Sequence, residues 1–194
     1  MFIDFCKAFD MVDHEILLEK MKLYNLGKNS LIWFTSYLSN RMQQVKFKSK
    51  LSEPLHIMHG VPQGSILGPL LFLIFINDLP LMNGLERISL FADDATKFVS
   101  GKCVPKIQQA LQTCSDSAET WCYANRMVPS AEKTNIMLVS TSKKLNSLSD
   151  FDKSLNVFMH GRKLEQVSTE KLLGVMIDDN LSWKWQIKSR YYVE

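Results

Sequence analysis

Apolar positions recur along the chain with two periods, and the switches between them mark out the elements. Met1 to Phe5 is a short apolar run interrupted by Asp4, predicted to be a buried strand. Asp13 then reads as a helix N-cap. Leu17, Met21 and Tyr24 follow at helical spacing, with Gly27 as the stop. A second helix is predicted from Ser30 to Leu38, with Trp33, Phe34 and Tyr37 expected in the core. Val45 and Phe47 alternate with Lys46 and Lys48 like a half-exposed strand, and Leu55 to Met58 is its expected hairpin partner. Gly60 to Gly64 is a loop by composition. Ser65 caps the apolar helix after it, Pro69 falls in that helix's first turn, and Leu79-Pro80 ends it.

Farther along, Ile88 to Ala92 and Ala95 to Val99 flank Asp93-Asp94 and predict a tight hairpin. Pro105 opens a helix with an apolar stripe of Ile107, Leu111, Cys114, Ala118 and Trp121. Strands are expected at Asn135 to Val139, Val157 to Met159 and Leu172 to Ile177, with a polar surface loop over 140–156. Helices alternating with frequent hairpins predict an α+β fold, an antiparallel sheet with helices packed on one face.

A length of 194 residues fits one domain, since domains average roughly 150. With 46% hydrophobic and 22% charged residues, the chain is globular rather than disordered. A net charge of +3 does not by itself argue for a nucleic-acid partner. Cys6, Cys103, Cys114 and Cys122 form no C-x-x-C pair, which excludes a zinc ribbon or a thioredoxin motif. Asp4, Lys7 and Asp10 interrupt the N-terminal apolar residues, so no signal peptide is expected and the cell's reducing interior is the expected compartment. Ile66 to Ile76 contains Gly68 and Pro69 and falls short of the roughly 20 residues of a membrane span.

The candidate chemistry lies in carboxylates set among apolar residues. Asp4 sits inside Met1 to Phe5, and Asp93 and Asp94 sit inside Leu90 to Ala95. A bland account remains for each: Asp93-Asp94 as a turn, Asp4 as a strand-end cap. If the two strands are neighbours, however, three carboxylates converge on one point, provided a turn breaks the alternation of facing at Asp93 and Asp94. Crowded like charges are expected to raise the cluster's proton affinity and to need divalent cations. Oxygen-only ligands suit Mg²⁺ (or Mn²⁺), which takes substrate phosphates as further ligands, as in two-metal phosphoryl transfer. His56 and His59 have metal-ligand spacing, but they lie on a predicted strand and a structural role is expected. The Lys46-Lys48-Lys50 edge reads either as a lysine-guarded edge strand or as a phosphate contact.

Three stretches come in the order and spacing of a reverse transcriptase palm. They are Phe5-Cys6-Lys7-Ala8-Phe9-Asp10, the block Gly60 to Pro69, and Phe91-Ala92-Asp93-Asp94. With Trp121 and Asn125, Glu132-Lys133-Thr134, Lys171 to Val175 and Leu181-Ser182-Trp183, the chain resembles the reverse transcriptases of non-LTR retrotransposons over nearly its whole length. The resemblance implies a polymerase palm over 1–188 with a partial fingers insertion at about 14–60, and an RNA-directed DNA polymerase activity. It implies Asp4, Asp93 and Asp94 as metal-binding catalytic residues, and Lys133 as an aid to the leaving pyrophosphate. Phe9 would be the aromatic gate against a 2′-OH, and Gln63 and Gly64 would contact the incoming deoxynucleoside triphosphate and the template. Residues 171–183 would form the hairpin that supports the primer end, and Lys46 and Lys48 would contact nucleic acid. The implied partners are an RNA template and a DNA primer, with no membrane and a nuclear location within the cell.

Ser130 stands where the family has Asn, Gln186 where it often has His, and Cys6 where serine is common. The fingers before Asp4, the thumb and an endonuclease are missing from this chain, and residues 189–194 read as a truncated end. The isolated chain is therefore expected to be a fragment with little templated synthesis, its missing parts supplied by a longer chain. Two rivals are an inactive remnant that binds only RNA or protein, and an intron-type maturase, which shares the palm.

Overall fold

A computed structural model describes residues 1–84, 87–141, 143 and 153–191. In chain order its elements are β1 (Phe2–Ile3), α1 (His14–Leu23), α2 (Lys28–Leu38), β2 (Met42–Gln43), β3 (Lys46–Phe47), β4 (Lys50–Leu51), β5 (Leu55–His56), α3 (Leu67–Ile76), β6 (Ile88–Phe91), β7 (Asp94–Lys97), α4 (Val104–Ala124), β8 (Asn135–Ile136), β9 (Phe158–Met159), β10 (Arg162–Lys163), β11 (Glu165–Gln166), β12 (Thr169–Leu172), β13 (Val175–Asp178) and α5 (Lys184–Tyr191). Five strands form the main sheet in the order β11-β8-β1-β7-β6. The sheet is mixed rather than antiparallel, because β11 runs parallel to β8 while the other pairs are antiparallel. The α+β class stands as expected.

Alternation explains why β1 is central. Met1, Ile3 and Phe5 are all buried in one apolar cluster with Leu17, Met21, Leu71, Phe72, Phe75 and Trp121. Lys20 of α1 is buried among them. Its Nζ donates to the Phe75 carbonyl at 2.6 Å and to Asp78 Oδ1 at 2.7 Å, and that same Oδ1 accepts from Trp121 Nε1 at 2.9 Å. The ammonium also lies 4.6 Å from the Phe75 ring centre and 4.9 Å from that of Trp121. Burial pushes the Lys20 pKa below its ordinary value, and the bond to Asp78 works against that shift.

A polar stripe of α4 holds the 156–160 segment. Gln108 accepts from the Asn156 N–H, Gln112 accepts from the Phe158 N–H and donates to its carbonyl, Ser115 donates to that carbonyl, and Glu119 accepts from the His160 N–H. These four recur on one helical face, so side chains satisfy strand backbone that a neighbouring strand would otherwise pair.

Local expectations are met in part. Asp13 caps α1, accepting from the Glu15 and Ile16 N–H groups at 2.9 and 3.1 Å. The helix ends at Leu23, and the left-handed residue just beyond it is Asn25 (φ 58), not Gly27, which instead precedes α2 in extended conformation. The expected hairpin is nested: β2 pairs with β5, and inside it β3 pairs with β4. Val45 and Phe47 are both exposed there, because two-residue ladders bury neither face. Of the rings of α2, Phe34 and Tyr37 are half-buried and pack against the core, whereas Trp33 is 53% exposed and stacks on Tyr37 at 5.3 Å. The expected Leu172–Ile177 strand is broken by a Leu173-Gly174 turn (φ 48 and 84) into the β12–β13 hairpin. Within the expected 140–156 loop, residues 142 and 144–152 lie outside the described residues, as do 192–194 of the expected C-terminal end. No helix among the described residues is long and apolar enough to cross a membrane.

Removing one partner of a buried pair strands the other. Lys20→Ala is expected to cost about 3 kcal/mol in urea denaturation, and Lys20→Met less, because it refills the apolar volume and Asp78 can turn toward water. A second expectation concerns acid. Bonds from the Ser182 N–H and hydroxyl hold the Asp178 carboxyl below its ordinary value of 3.8. A depressed folded-state pKa gives stability that is present above 3.8 and lost as pH falls below it. Asp178→Asn should therefore melt below wild type at neutral pH, and the gap should close as melts are taken into that acid range.

Candidate active site

The pairing of β1 with β7 sets Phe2 opposite Thr96 and Ile3 opposite Ala95. One more step of that register places Asp4 opposite Asp94. The β6–β7 hairpin closes on the Phe91–Asp94 pair, so Ala92 and Asp93 form its two-residue turn. Ala92 takes the left-handed conformation such a turn requires (φ 51), which costs a non-glycine residue about 1 kcal/mol. This turn breaks the alternation after Phe91. Asp93 and Asp94 are both exposed and both act electrostatically on Asp4.

Asp4 is tied down by its backbone. Its N–H donates to Thr134 Oγ1 at 3.2 Å, and its carbonyl accepts from the Ser130 N–H at 2.9 Å. The carboxylate is another matter, for its Oδ1 is buried without a hydrogen-bond partner. Burial pushes the Asp4 carboxyl above its ordinary value; Lys133 pulls it back, and Asp93 and Asp94 push it up again. Desolvation, more than the expected like-charge crowding, leads this shift. A pocket of about 90 Å³ collects Asp4, Asp94 and Lys133 with Glu170 and Lys171 of β12. Among the described residues no three His, Cys, Asp or Glu side chains form a group that could hold a metal ion by themselves, so the expected three-carboxylate convergence is not assembled.

Phe9 lies in a 3₁₀ turn, Ala8–Asp10, half-buried, with its ring stacked on Phe72 at 4.4 Å and 21°. The Gly60–Gly64 loop is pinned beside that turn: the Gly60 N–H donates to the Val12 carbonyl and the Val61 N–H to the Phe9 carbonyl. A Cβ on Gly60 would lie 3.0 Å from the Asp10 carbonyl oxygen, so only glycine fits there. A larger cleft of about 690 Å³ is lined by Asp10, Arg41, Gln43, His59 and the Gly60–Gln63 segment. Gln63 is exposed where it lines this cleft, Gly64 after it is exposed too, and Lys46 and Lys48 stand apart on the exposed β3–β4 hairpin. His59 Nε2 sits 3.5 Å from Asp13 Oδ2, which Arg126 also contacts at 2.7 Å. Burial raises the Asp13 carboxyl, but the bonds from Ile16 N–H, Arg126 and Glu15 N–H outweigh it and hold the group below its ordinary range.

Sequence reading missed Thr134 and Glu170. Thr134 is fully buried and receives the Asp4 N–H, and Glu170 faces the Asp4 pocket while accepting from Asn135 Nδ2 at 2.7 Å. Thr134 stands within the Glu132-Lys133-Thr134 motif with no role assigned to it there, and Glu170 carries no motif, since it reaches the site through the pairing of β12.

Residues 1–177 match the family described as reverse transcriptase (RNA-dependent DNA polymerase). The "Probable RNA-directed DNA polymerase from transposon BS" of Drosophila melanogaster is 30% identical over 97% of this chain and 21% of its own length. The RNA-directed DNA polymerase from mobile element jockey of Drosophila funebris is likewise 30% identical, over 97% of this chain and 20% of its own length. This chain thus spans about a fifth of the curated relatives it matches. It belongs to the reverse transcriptase family and is related to the enzymes of non-LTR retrotransposons.

Proposed function

We propose that this chain is the palm-containing part of an RNA-directed DNA polymerase that extends a DNA primer on an RNA template. The observation that carries the reading is the juxtaposition of Asp4 and Asp94 on adjacent strands, with a buried Asp4 oxygen left without a partner. In the reaction the primer 3′-OH attacks the α-phosphate of a deoxynucleoside triphosphate. A new P–O bond forms, the α–β bridge breaks, and pyrophosphate leaves.

The residues fit a hard divalent cation. The three carboxylates are not gathered into a ready-made cation site, but the buried Asp4 oxygen is unpaired and feels the charges of Asp93 and Asp94, and Mg²⁺ is ordinarily held by one or two carboxylates plus substrate phosphates. Asp4, Asp93 and Asp94 would hold Mg²⁺ or Mn²⁺, which when bound supplies Lewis-acid stabilisation of phosphoryl oxygens. Lys133, exposed beside Asp4, would offset negative charge and give a proton to the departing pyrophosphate. Phe9 would fill the space beside the sugar's C2′ and exclude a ribose hydroxyl. Gln63 and Gly64 would meet the nucleotide and template, and Lys46 and Lys48 would contact template phosphates. Residues 14–60 would serve as the fingers insertion.

The chain alone tests the metal reading. A ligand that binds only the native state at a hundred times its Kd adds about 2.7 kcal/mol, so Mn²⁺ should raise the melting temperature of wild type. Asp93→Asn should abolish most of that rise; an equal rise in the variant would place the ion elsewhere.

A complete polymerase carrying this domain tests the chemistry. Asp93→Asn should cut primer extension about a thousandfold, the scale of several kcal/mol of lost charge stabilisation. Phe9→Ala should leave deoxynucleotide use largely intact and shift the kcat/KM ratio toward ribonucleotides by about a hundredfold. An unchanged ratio would remove Phe9 from sugar selection.

A further inference from the structure

We propose that Asp10 is a positioning residue: its carboxylate fixes the Gln63 amide so that the Gln63 carbonyl oxygen is turned away from Asp10 and free to accept from a bound deoxynucleotide. This assignment deepens the polymerase reading and rests on it.

The two residues are 53 positions apart, and their backbones are locked together. The Asp10 N–H donates to the Lys7 carbonyl at 2.8 Å, fixing the turn. The Gly60 N–H donates to Val12 O at 2.7 Å and the Val61 N–H to Phe9 O at 2.9 Å, fixing the loop on the turn. The close approach of Gly60 to the Asp10 backbone leaves no room for sliding. Across this rigid pair of segments Gln63 Nε2 donates to Asp10 Oδ1 at 2.8 Å, and both residues line the 690 Å³ cleft.

An ionised carboxylate only accepts hydrogen bonds, whereas a primary amide has a donor end and an acceptor end of nearly equal size. Asp10 therefore permits one amide orientation. The NH₂ turns to Asp10, and the carbonyl oxygen has no protein partner among the described residues. Among those residues, no Lys or Arg side chain pairs with Asp10 to divert it. Without Asp10 the amide can flip and offer a donor instead.

An acceptor selects a donor on the ligand. The triphosphate oxygens only accept, and the four bases differ in their donors. The 3′-hydroxyl is the donor that all four deoxynucleotides share. The fixed orientation therefore favours that hydroxyl and disfavours a phosphate oxygen in its place.

A reciprocal swap tests this without changing the charge of the pair. Asp10→Asn frees the amide, and calorimetric affinity for a deoxynucleoside triphosphate with Mn²⁺ should fall about tenfold, the scale of one lost hydrogen bond. Affinity for the 2′,3′-dideoxy analogue should hardly change. Gln63→Glu alone sets two carboxylates together and should also weaken binding. In the double variant the introduced amide donates to the introduced carboxylate, an acceptor again faces the ligand, and affinity should return to within about twofold of wild type. A hydroxyl preference unchanged in Asp10→Asn, or a double variant no better than the singles, overturns the assignment. ¹⁵N spectra of the Gln63 side-chain NH₂ give an independent arm, since a resonance unmoved by Asp10→Asn also overturns it. A wild-type chain that binds no deoxynucleotide overturns the polymerase reading instead, while the NH₂ resonance still decides the contact.

Discussion

One buried ammonium ties three helices together. Lys20 of α1 meets the last-turn carbonyl of Phe75 in α3, the Asp78 carboxylate just past that helix, and the rings of Phe75 and Trp121, the latter from α4. A helix C-terminus carries unpaired carbonyls and a partial negative charge, so a cation there is favourable. Buried ion pairs add little net stability against apolar replacements, and their value lies more in allowing one arrangement only. A shifted α1 would leave the buried Lys20 ammonium unpaired and Asp78 with only the Trp121 Nε1 donor. The constraint reaches the candidate site through ring contacts. Trp121 packs on Phe75 at 6.1 Å and on Phe5, the residue after Asp4, also at 6.1 Å.

A strand of two residues is not stable by itself. β1 holds because it is gripped from both sides, by β7 on one edge and by the 128–135 segment on the other. Cys6 N–H donates to Val128 O, Phe5 bridges Pro129, Ser130 N–H donates to Asp4 O, and Phe2 pairs with Asn135. The Asp4 N–H and carbonyl are both occupied, while two buried side-chain oxygens, Asp4 Oδ1 and Asn135 Oδ1 on the neighbouring strand, are left without a hydrogen-bond partner. Two unfavourable features coincide here, the unpaired Asp4 oxygen and the left-handed Ala92 in the facing turn. Local costs that survive inside an otherwise consistent fold support the proposed reading of this place as a site.

The helices with strong periodicity were legible from the chain: α1, α3 and α4 lie within a few residues of their expected limits, because their apolar stripes are the faces they bury. The β6–β7 hairpin was legible because its turn chemistry is local. Three things were not. Parallel pairing of β11 with β8 joins segments 30 residues apart with no local signature. The exposure of Trp33 depends on which neighbours reach α2, and hydrophobicity alone cannot say. The split of the 172–177 run turns on two residues adopting positive φ, one of them Leu173, which a propensity argument would leave in the strand. At the site, the approximate place of Asp4 beside Asp94 was legible from the two interrupted apolar runs. The part played by Thr134 and Glu170 was not, since each meets Asp4 only through long-range pairing.

Packing explains part of the Gly60–Pro69 block, but not Gln63 or the 95% exposed Ile66. Gly60 is required by the Asp10 backbone, and Gly68 by the Pro62 carbonyl, which a Cβ would approach to 2.7 Å. Ser65 buckles the loop to the helix, donating to Pro62 O at 2.7 Å and accepting from the Gly68 N–H at 2.9 Å. Gly64 has open space around it, and its requirement is conformational (φ 79). Val61 is buried in the core. Gln63 is exposed, fills no cavity and caps no helix, and its one protein bond runs to the equally exposed Asp10. An exposed hydrogen bond of this kind adds little to stability. The effect of the pair is therefore on what Gln63 presents to the cleft, and that is a property of a ligand site rather than of the fold.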